Sequence, residues 1–333
     1  MSIIRGVSLY SLQEDYYLGK LDLEGCIAKT VNEIGAKGIE VIFKEMPLPS
    51  MHSISREVSD EDVALFKGWM EKYGAIPTSY GAGMLNTMYS NRHLTEKELT
   101  YWVAKDLKNA AKLGFKVYRG GIMNQTDMAA YVNNFELCEE LGIQITTEIH
   151  SPRGIHTWWT QDFIENIEKK NAKQAGFVID FGIFTVGMAT SKKKRLLRDG
   201  ATEKIVEAID MAYRAKAPLT EEDVRKMGGN EVDVLAAKQM SAWIYDDPQW
   251  IKEILPYVRH CHGKFYEMTE DCVEPAIDYE GPLTVLKEAG WSGSISSEYE
   301  GQREYFDLGC DIYVDPVEQC RRHHVMLKRI LGE

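Results

Sequence analysis

The sequence predicts a (β/α)8 TIM barrel, and three observations carry that expectation. Strand-like apolar runs alternate with helical stretches in roughly eight cycles along the 333 residues, as parallel strands joined by crossover helices would. Gly35, Gly74, Gly114 and Gly142 each close a helical stretch or open the following strand, where a helix C-cap belongs. No GxGxxG, and no GxxxxGK ending in Ser or Thr, follows any strand. That removes the commonest reason to read an open doubly wound sheet instead. The whole of 1–333 reads as one such domain.

Residues 3–9 are the first expected strand, and 22–36 the helix behind it, closed before Gly38. The run Ile39-Glu-Val-Ile-Phe43 is the second strand, followed by a helix over 60–73 with charge on one face. Residues 75–80 make the third strand, in which Tyr80 reads as core. A long helix over 95–113 opens on Thr95-Glu-Lys-Glu98, a capping box in which the hydroxyl and the carboxylate satisfy backbone N–H groups reciprocally. Residues 115–118 are the fourth strand and 126–141 a helix. The stretch Gly142-Ile-Gln-Ile-Thr-Thr-Glu148-Ile-His150 is rich in strand formers and reads as a buried fifth strand. A helix over 163–170 leads to the sixth strand, 176–180. The rhythm then breaks. Residues 185–257 hold helical stretches and the basic run Lys192-Lys-Lys-Arg195 but no convincing strand. They read as a helical insertion between strands six and seven, serving as a lid, a subunit contact or decoration, with the basic run a solvated charge face. The alternation resumes with a seventh strand at 258–262, a helix over 281–289, an eighth strand at 294–298 and a final helix over 316–331. His323 and His324 in that helix read as a solvated face.

A net charge of −12 argues against a nucleic-acid backbone or an anionic membrane surface as partner. No run is long enough to span a bilayer and no signal peptide is visible. Cys26, Cys138, Cys261, Cys272, Cys310 and Cys320 are scattered without a CxxC pair, as reduced thiols in a cytoplasmic protein would be.

Barrel chemistry collects at the C-terminal ends of the strands. There the sequence places Glu148 and His150, then Asp180, then His260, His262 and Lys264, then Glu298 and Glu300. Side chains two apart on a strand face the same way. Several carboxylates and an imidazole at one spot would repel if ionised and unpaired, and a divalent cation relieves this. Oxygen-rich ligation with one imidazole favours Mn2+ or Mg2+ over Fe, Co or Zn. Glu148, Asp180, His262 and Glu298 are the expected ligands, with His260 and Glu300 as substitutes.

Glu148, Asp180, His262-Gly-Lys264 and Ser297-Glu298-Tyr299, at the ends of strands five to eight, resemble the xylose isomerase-like barrels: sugar isomerases, 3-epimerases and the endonuclease IV type of nucleases. The resemblance covers nearly the whole chain and implies a metal on Glu148, Asp180, His262 and Glu298. The nuclease branch fits poorly, since few of the eight histidines lie at strand ends. His150, two residues past Glu148, departs from the epimerase branch. With Val178-Ile-Asp180-Phe-Gly-Ile-Phe184 it resembles the α subunits of bacterial C-glycoside deglycosidases. That implies Mn2+, a smaller β subunit, 3-oxo-C-glycosides of plant polyphenols as substrates, and His150 as general base or acid. The chemistry would be proton abstraction at C2 followed by β-elimination at C1, with Lys264 supporting developing negative charge or serving as an ion pair. A sugar isomerase or 3-epimerase needs the same equipment, so the metal site does not separate the two. A non-catalytic accessory barrel is the third reading; four ligands plus a separate proton-transfer group weigh against it. Arg119, His156, Trp158 and Glu300 are candidate substrate contacts, with Trp159 and His52 as weaker ones.

Overall fold

Strands packed between a filled barrel interior and an outer ring of helices are buried on both faces, and the apolar runs fold accordingly. The structure, a computed structural model, describes residues 3–53, 55–82, 91–243, 245–309 and 312–333; Cys310 lies outside them. The strands are β1 Ile4–Ser8, β2 Gly38–Ile42, β3 Ile76–Gly81, β4 Val117–Gly120, β5 Gln144–Ile149, β6 Ala175–Asp180, β7 Val258–Phe265 and β8 Ser294–Tyr299. They pair in sequence order, and β1 pairs with β8 to close a parallel (β/α)8 barrel. Every residue of β2, β6 and β8 is buried.

The helices follow the expected order: α1 Leu23–Lys29, α2 Asp60–Tyr73, α3 Glu96–Leu113, α4 Gln125–Val132, α5 Phe135–Leu141, α6 Trp158–Lys170, α7 Thr190–Arg198, α8 Glu203–Arg214, α9 Glu221–Lys226, α10 Glu231–Ala242, α11 Glu280–Glu288 and α12 Pro316–Leu331. Gly74, Gly114 and Gly142 end α2, α3 and α5 at positive φ, a conformation that costs glycine least. Thr95 and Glu98 form the expected capping box. The single helix expected over 126–141 is two, because the Asn134 side chain donates to the Ala130 and Thr100 carbonyls where the chain turns. Helix α6 starts at Trp158, five residues earlier than expected.

Between β6 and β7 the chain is helical, as expected, and α7 to α10 build an apolar cluster of their own around Leu196, Ile209, Val224 and Met240. Short bridges, Phe184 to Tyr245 and Thr185 to Ile277, tie this insertion's ends to the barrel. The basic run keeps contact with solvent, as expected, with Lys194 exposed and the other three half-buried, and it is also paired. Lys193 pairs with Asp210 at 2.7 Å, Lys194 with Glu267 at 2.9 Å and Arg195 with Asp199 at 2.8 Å. The run thus fastens the insertion to itself and to the segment after β7. Among the described residues, no helix is long and apolar enough to cross a membrane.

His323 and His324 depart from expectation. Both are buried, His323 stacked on Phe265 with ring centroids 4.4 Å apart and His324 bonded to the Gly6 carbonyl at 3.1 Å. The reason is helical spacing: Val317, Cys320, His324, Leu327 and Leu331 share the buried face of α12.

Candidate active site and metal centre

Register brings the site together. Asp180 on β6 lies opposite His262 on β7, and Lys264 lies opposite Glu298 on β8. His260, His262 and Lys264, two apart on β7, share the interior face, beside Ser294 and Ser296, whose small side chains leave room for the rings. Glu148, next to last in β5, joins the cluster from that strand, with His150 just beyond the strand's end.

Ligand-type atoms of Glu148, Asp180, His262 and Glu298 all lie within 4.8 Å of one another. His262 Nδ1 is 2.8 Å from Glu148 Oε1 and 3.6 Å from Glu298 Oε1. Asp180 Oδ1 accepts from the Gly182 N–H at 2.6 Å. Its Oδ2, like Glu298 Oε2, is buried and accepts no hydrogen bond. Lys264 Nζ is 2.9 Å from the first and 3.5 Å from the second, contacts of ion-pair distance but not of hydrogen-bond geometry. Lys264 brings one positive charge to the cluster, and three carboxylates with one imidazole this close together are the donor set of a divalent cation site. The four residues therefore form a cluster suited to a divalent metal ion.

Beneath this cluster lies Glu40 of β2, which the sequence reading assigned no role. It is fully buried. Its carboxylate accepts from His260 Nε2 at 2.9 Å and His262 Nε2 at 3.1 Å, and from Ser8 at 3.0 Å. Glu40, His260 and His262 make a second metal-competent group sharing His262 with the first. Arg119, expected as a substrate contact, sits between the two carboxylate layers, 3.4 Å from Glu40 and 3.5 Å from Glu148. A lone carboxylate inside a buried strand such as Ile39-Glu-Val-Ile-Phe43 is itself a signal, because nothing apolar can compensate it.

Charge sets the protonation pattern. Burial alone would raise Glu148, Glu40 and Glu298, but cationic neighbours outweigh it and hold all three below the usual carboxylate range; His262 is the leading neighbour in each case. Asp180 goes the other way: burial pushes it up to about 6, against the pull of Lys264. Burial would lower His262, yet Glu40, Glu298 and Glu148 raise it well above the ordinary imidazole value. Lys264 is likewise raised by Asp180, Glu300 and Glu298 against its burial.

His150 is the separate group. Its Nδ1 is 2.5 Å from the Ser151 carbonyl and its Nε2 is 2.8 Å from Lys264 Nζ. A carbonyl only accepts and an ammonium only donates, so Nδ1 carries the proton and Nε2 presents its lone pair to the site. Glu300 joins the rim, 3.5 Å from Lys264 and 2.9 Å from Arg303. The structure does not bring His156 and Trp158 into this group. His156 pairs with Glu253 at 2.8 Å and lies against Trp250, and Trp158 heads α6 with its side chain 67% exposed. Trp159 is buried against the core.

No protein-family model matches the chain. It is 28% identical to a C-glycoside deglycosidase α subunit of Arthrobacter globiformis, over 90% of this chain and 84% of the relative. It is 26% identical to a 3'-dehydrocarminate deglycosidase α subunit of a Microbacterium species, over 98% of this chain and 95% of the relative. The chain resembles deglycosidase α subunits. A third relative, a C-glycoside deglycosidase α subunit of Microbacterium trichothecenolyticum, is 27% identical over 94% of this chain and 88% of its own length. Among solved structures the chain is similar to a D-allulose 3-epimerase from a Methylomonas species, with a TM-score of 0.59 and 13% identity over 99% of this chain and 98% of that one. A D-psicose 3-epimerase matches with a TM-score of 0.58 and 15% identity over 99% of this chain and all of that one. These structural likenesses concern the barrel.

Proposed function

We propose that this chain is the α subunit of a metal-dependent carbon–carbon lyase. It would cleave the C-glycosidic bond of 3-oxo-C-glycosides of plant polyphenols, in a complex with a small β subunit. The observation that carries the reading is a carboxylate-rich metal cluster with a separate imidazole beside it, the Nε2 lone pair of His150 facing Lys264 at 2.8 Å. Similarity to deglycosidase α subunits over 84% or more of their lengths supports the substrate class and the partner.

Glu148, Asp180, His262 and Glu298 would hold the metal, and their single imidazole among carboxylates suits Mn2+. When bound, such an ion acts as a Lewis acid that favours negative charge on a substrate carbonyl oxygen. The chain's own residues do the rest. A carbon-linked aglycone has no oxygen lone pair at the bond to be broken, so simple acid hydrolysis is barred. A ketone at C3 makes the C2 proton acidic. His150 Nε2 takes that proton, the role imidazole commonly fills near neutral pH. The electron pair left at C2 becomes the C1–C2 double bond as the C1–aryl bond breaks. The bonding pair leaves with the aryl carbon, which takes up one proton, for which the protonated His150 is the source at hand. The sugar is left as a 1,5-anhydro enone, with one proton removed, one returned and no oxidant consumed. In the resting site Lys264 donates to Nε2, so that hydrogen bond gives way before Nε2 takes the C2 proton, and the ammonium then places a positive charge beside the reacting centre.

The test is a product assay on the Mn2+-loaded chain, alone and with its β subunit, on a 3-oxo-C-glucoside of a flavone. Free aglycone and the enone sugar are the expected products. Interconversion of keto-sugars, or exchange at C2 without aglycone release, would make this an isomerase or epimerase.

A further inference from the structure

Outside the metal cluster, the insertion and the barrel mouth enclose a cavity of about 400 Å3, within the range of pockets that hold small organic ligands. Its insertion wall is largely apolar, with Met188, Leu196, Met240 and Trp243. Its barrel wall comes from three segments that each leave the site just described: Thr185 lies past Asp180, Tyr266 past Lys264 and Glu304 past Glu300. The cavity thus adjoins the site by chain connection, on the same face of the barrel.

The lining suits a flat hydroxylated ring better than a sugar. Trp243 and Tyr266 meet edge to face with centroids 6.3 Å apart, and two methionine thioethers add soft, polarisable contacts to an aromatic face. The polar groups come from both walls, Thr185, Tyr266 and Glu304 from the barrel and Lys192 and Gln239 from α7 and α10. Tyr266 Oη is buried and has no hydrogen-bond partner in the protein, although a buried tyrosine hydroxyl usually finds one. Lys192 and Glu304, 3.8 Å apart, also line the space. A pyranose, ringed by hydroxyls, would leave the groups that face Met188, Leu196, Met240 and Trp243 unpaired.

We propose that this cavity is the subsite for the polyphenol ring of the substrate, held against Trp243, Tyr266 and the thioethers of Met188 and Met240. The assignment rests on the deglycosidase reading for its occupant, and on the aromatic and thioether lining for its chemistry. It gives the insertion a use: α7 and α10 supply the aromatic-binding wall that a bare barrel lacks.

The experiment titrates a free trihydroxyflavone into the Mn2+-loaded chain in complex with its β subunit by calorimetry. Wild type is compared with Ala242→Trp and Gln239→Trp, two exposed cavity-lining positions on α10 where a large side chain fills the space without entering the core. Flavone affinity should fall at least about tenfold in both variants, with KM for the 3-oxo-C-glucoside raised in step and manganese content unchanged. Unchanged flavone affinity in both filled variants, or no flavone binding by wild type, would overturn the assignment. The lyase reading is judged separately. Cleavage by wild type with the filled variants unaffected refutes the subsite alone. Flavone binding that the filled variants lose, without cleavage by wild type, keeps an aromatic site and refutes the lyase.

Discussion

His260 and His262 on β7 and His323 and His324 on α12 are equally buried, and they differ in what faces them. His262 meets three carboxylates, Glu40, Glu148 and Glu298, and is raised well above its ordinary value in spite of burial. His260 meets one, Glu40, and burial prevails, lowering it. The helix pair meets none among its hydrogen-bond partners. Arg5 donates to His324 Nδ1 at 3.2 Å, leaving Nε2–H to serve the Gly6 carbonyl and the Ser297 hydroxyl. Burial then pushes His324 down to about 3 and His323 well below its ordinary value. Depth in the fold is common to all four. The charge of the partners separates a polar centre from a neutral packing device.

That contrast can be broken at either end. The largest effect is expected from Glu40→Ala, which strands His260, His262 and Arg119 without their shared carboxylate. Removing one partner of a buried ion pair costs about 3–5 kcal/mol, read as a lower midpoint in urea. A variant as stable as wild type would show that Glu40 does not hold this centre together. The helix pair should reveal itself through pH. His324 titrates at about 3 in the folded chain and at about 6.5 unfolded. Between those values the unfolded chain binds more protons, so this histidine's contribution is fully present above about pH 6.5 and is lost as pH falls towards 3. In His324→Gln the stability profile over that window should flatten, by at most about 1.4 kcal/mol per pH unit. An unchanged slope would mean that the ring does not stay neutral in the fold. A smaller loss, about 1–3 kcal/mol, is expected from Ser297→Ala, which removes the hydroxyl shared by both rings at 2.7 and 2.9 Å. Equal stability there would point to packing against Phe265 as the stronger hold.

The same contrast explains what could be read from the sequence. All eight strands were legible, because runs such as Gly176-Phe-Val-Ile-Asp180 carry their pattern locally and glycines mark the helix ends. The four clustered ligand candidates were legible too, since a barrel lines up strand ends. Glu40 was not, because its meaning depends on β7, more than two hundred residues away, reaching it across the barrel. His323 and His324 misled for the opposite reason: polarity suggested solvent, while their i, i+4 spacing with Cys320 and Leu327 placed them inward. His156 and Trp158 lie beyond β5 on a segment whose side chains turn to Glu253 and solvent, a direction that strand alternation does not specify.

A metal cluster works here beside a separate base, and His150→Gln pulls the two apart. Glutamine keeps a polar side chain of similar reach but cannot take a proton. With the β subunit present, metal content and turnover of a 3-oxo-C-glucoside would be measured on the same preparation. Manganese should bind as in wild type while turnover falls by about 100-fold or more. Full turnover with the metal in place would remove His150 from the chemistry and leave the metal cluster without its proposed base.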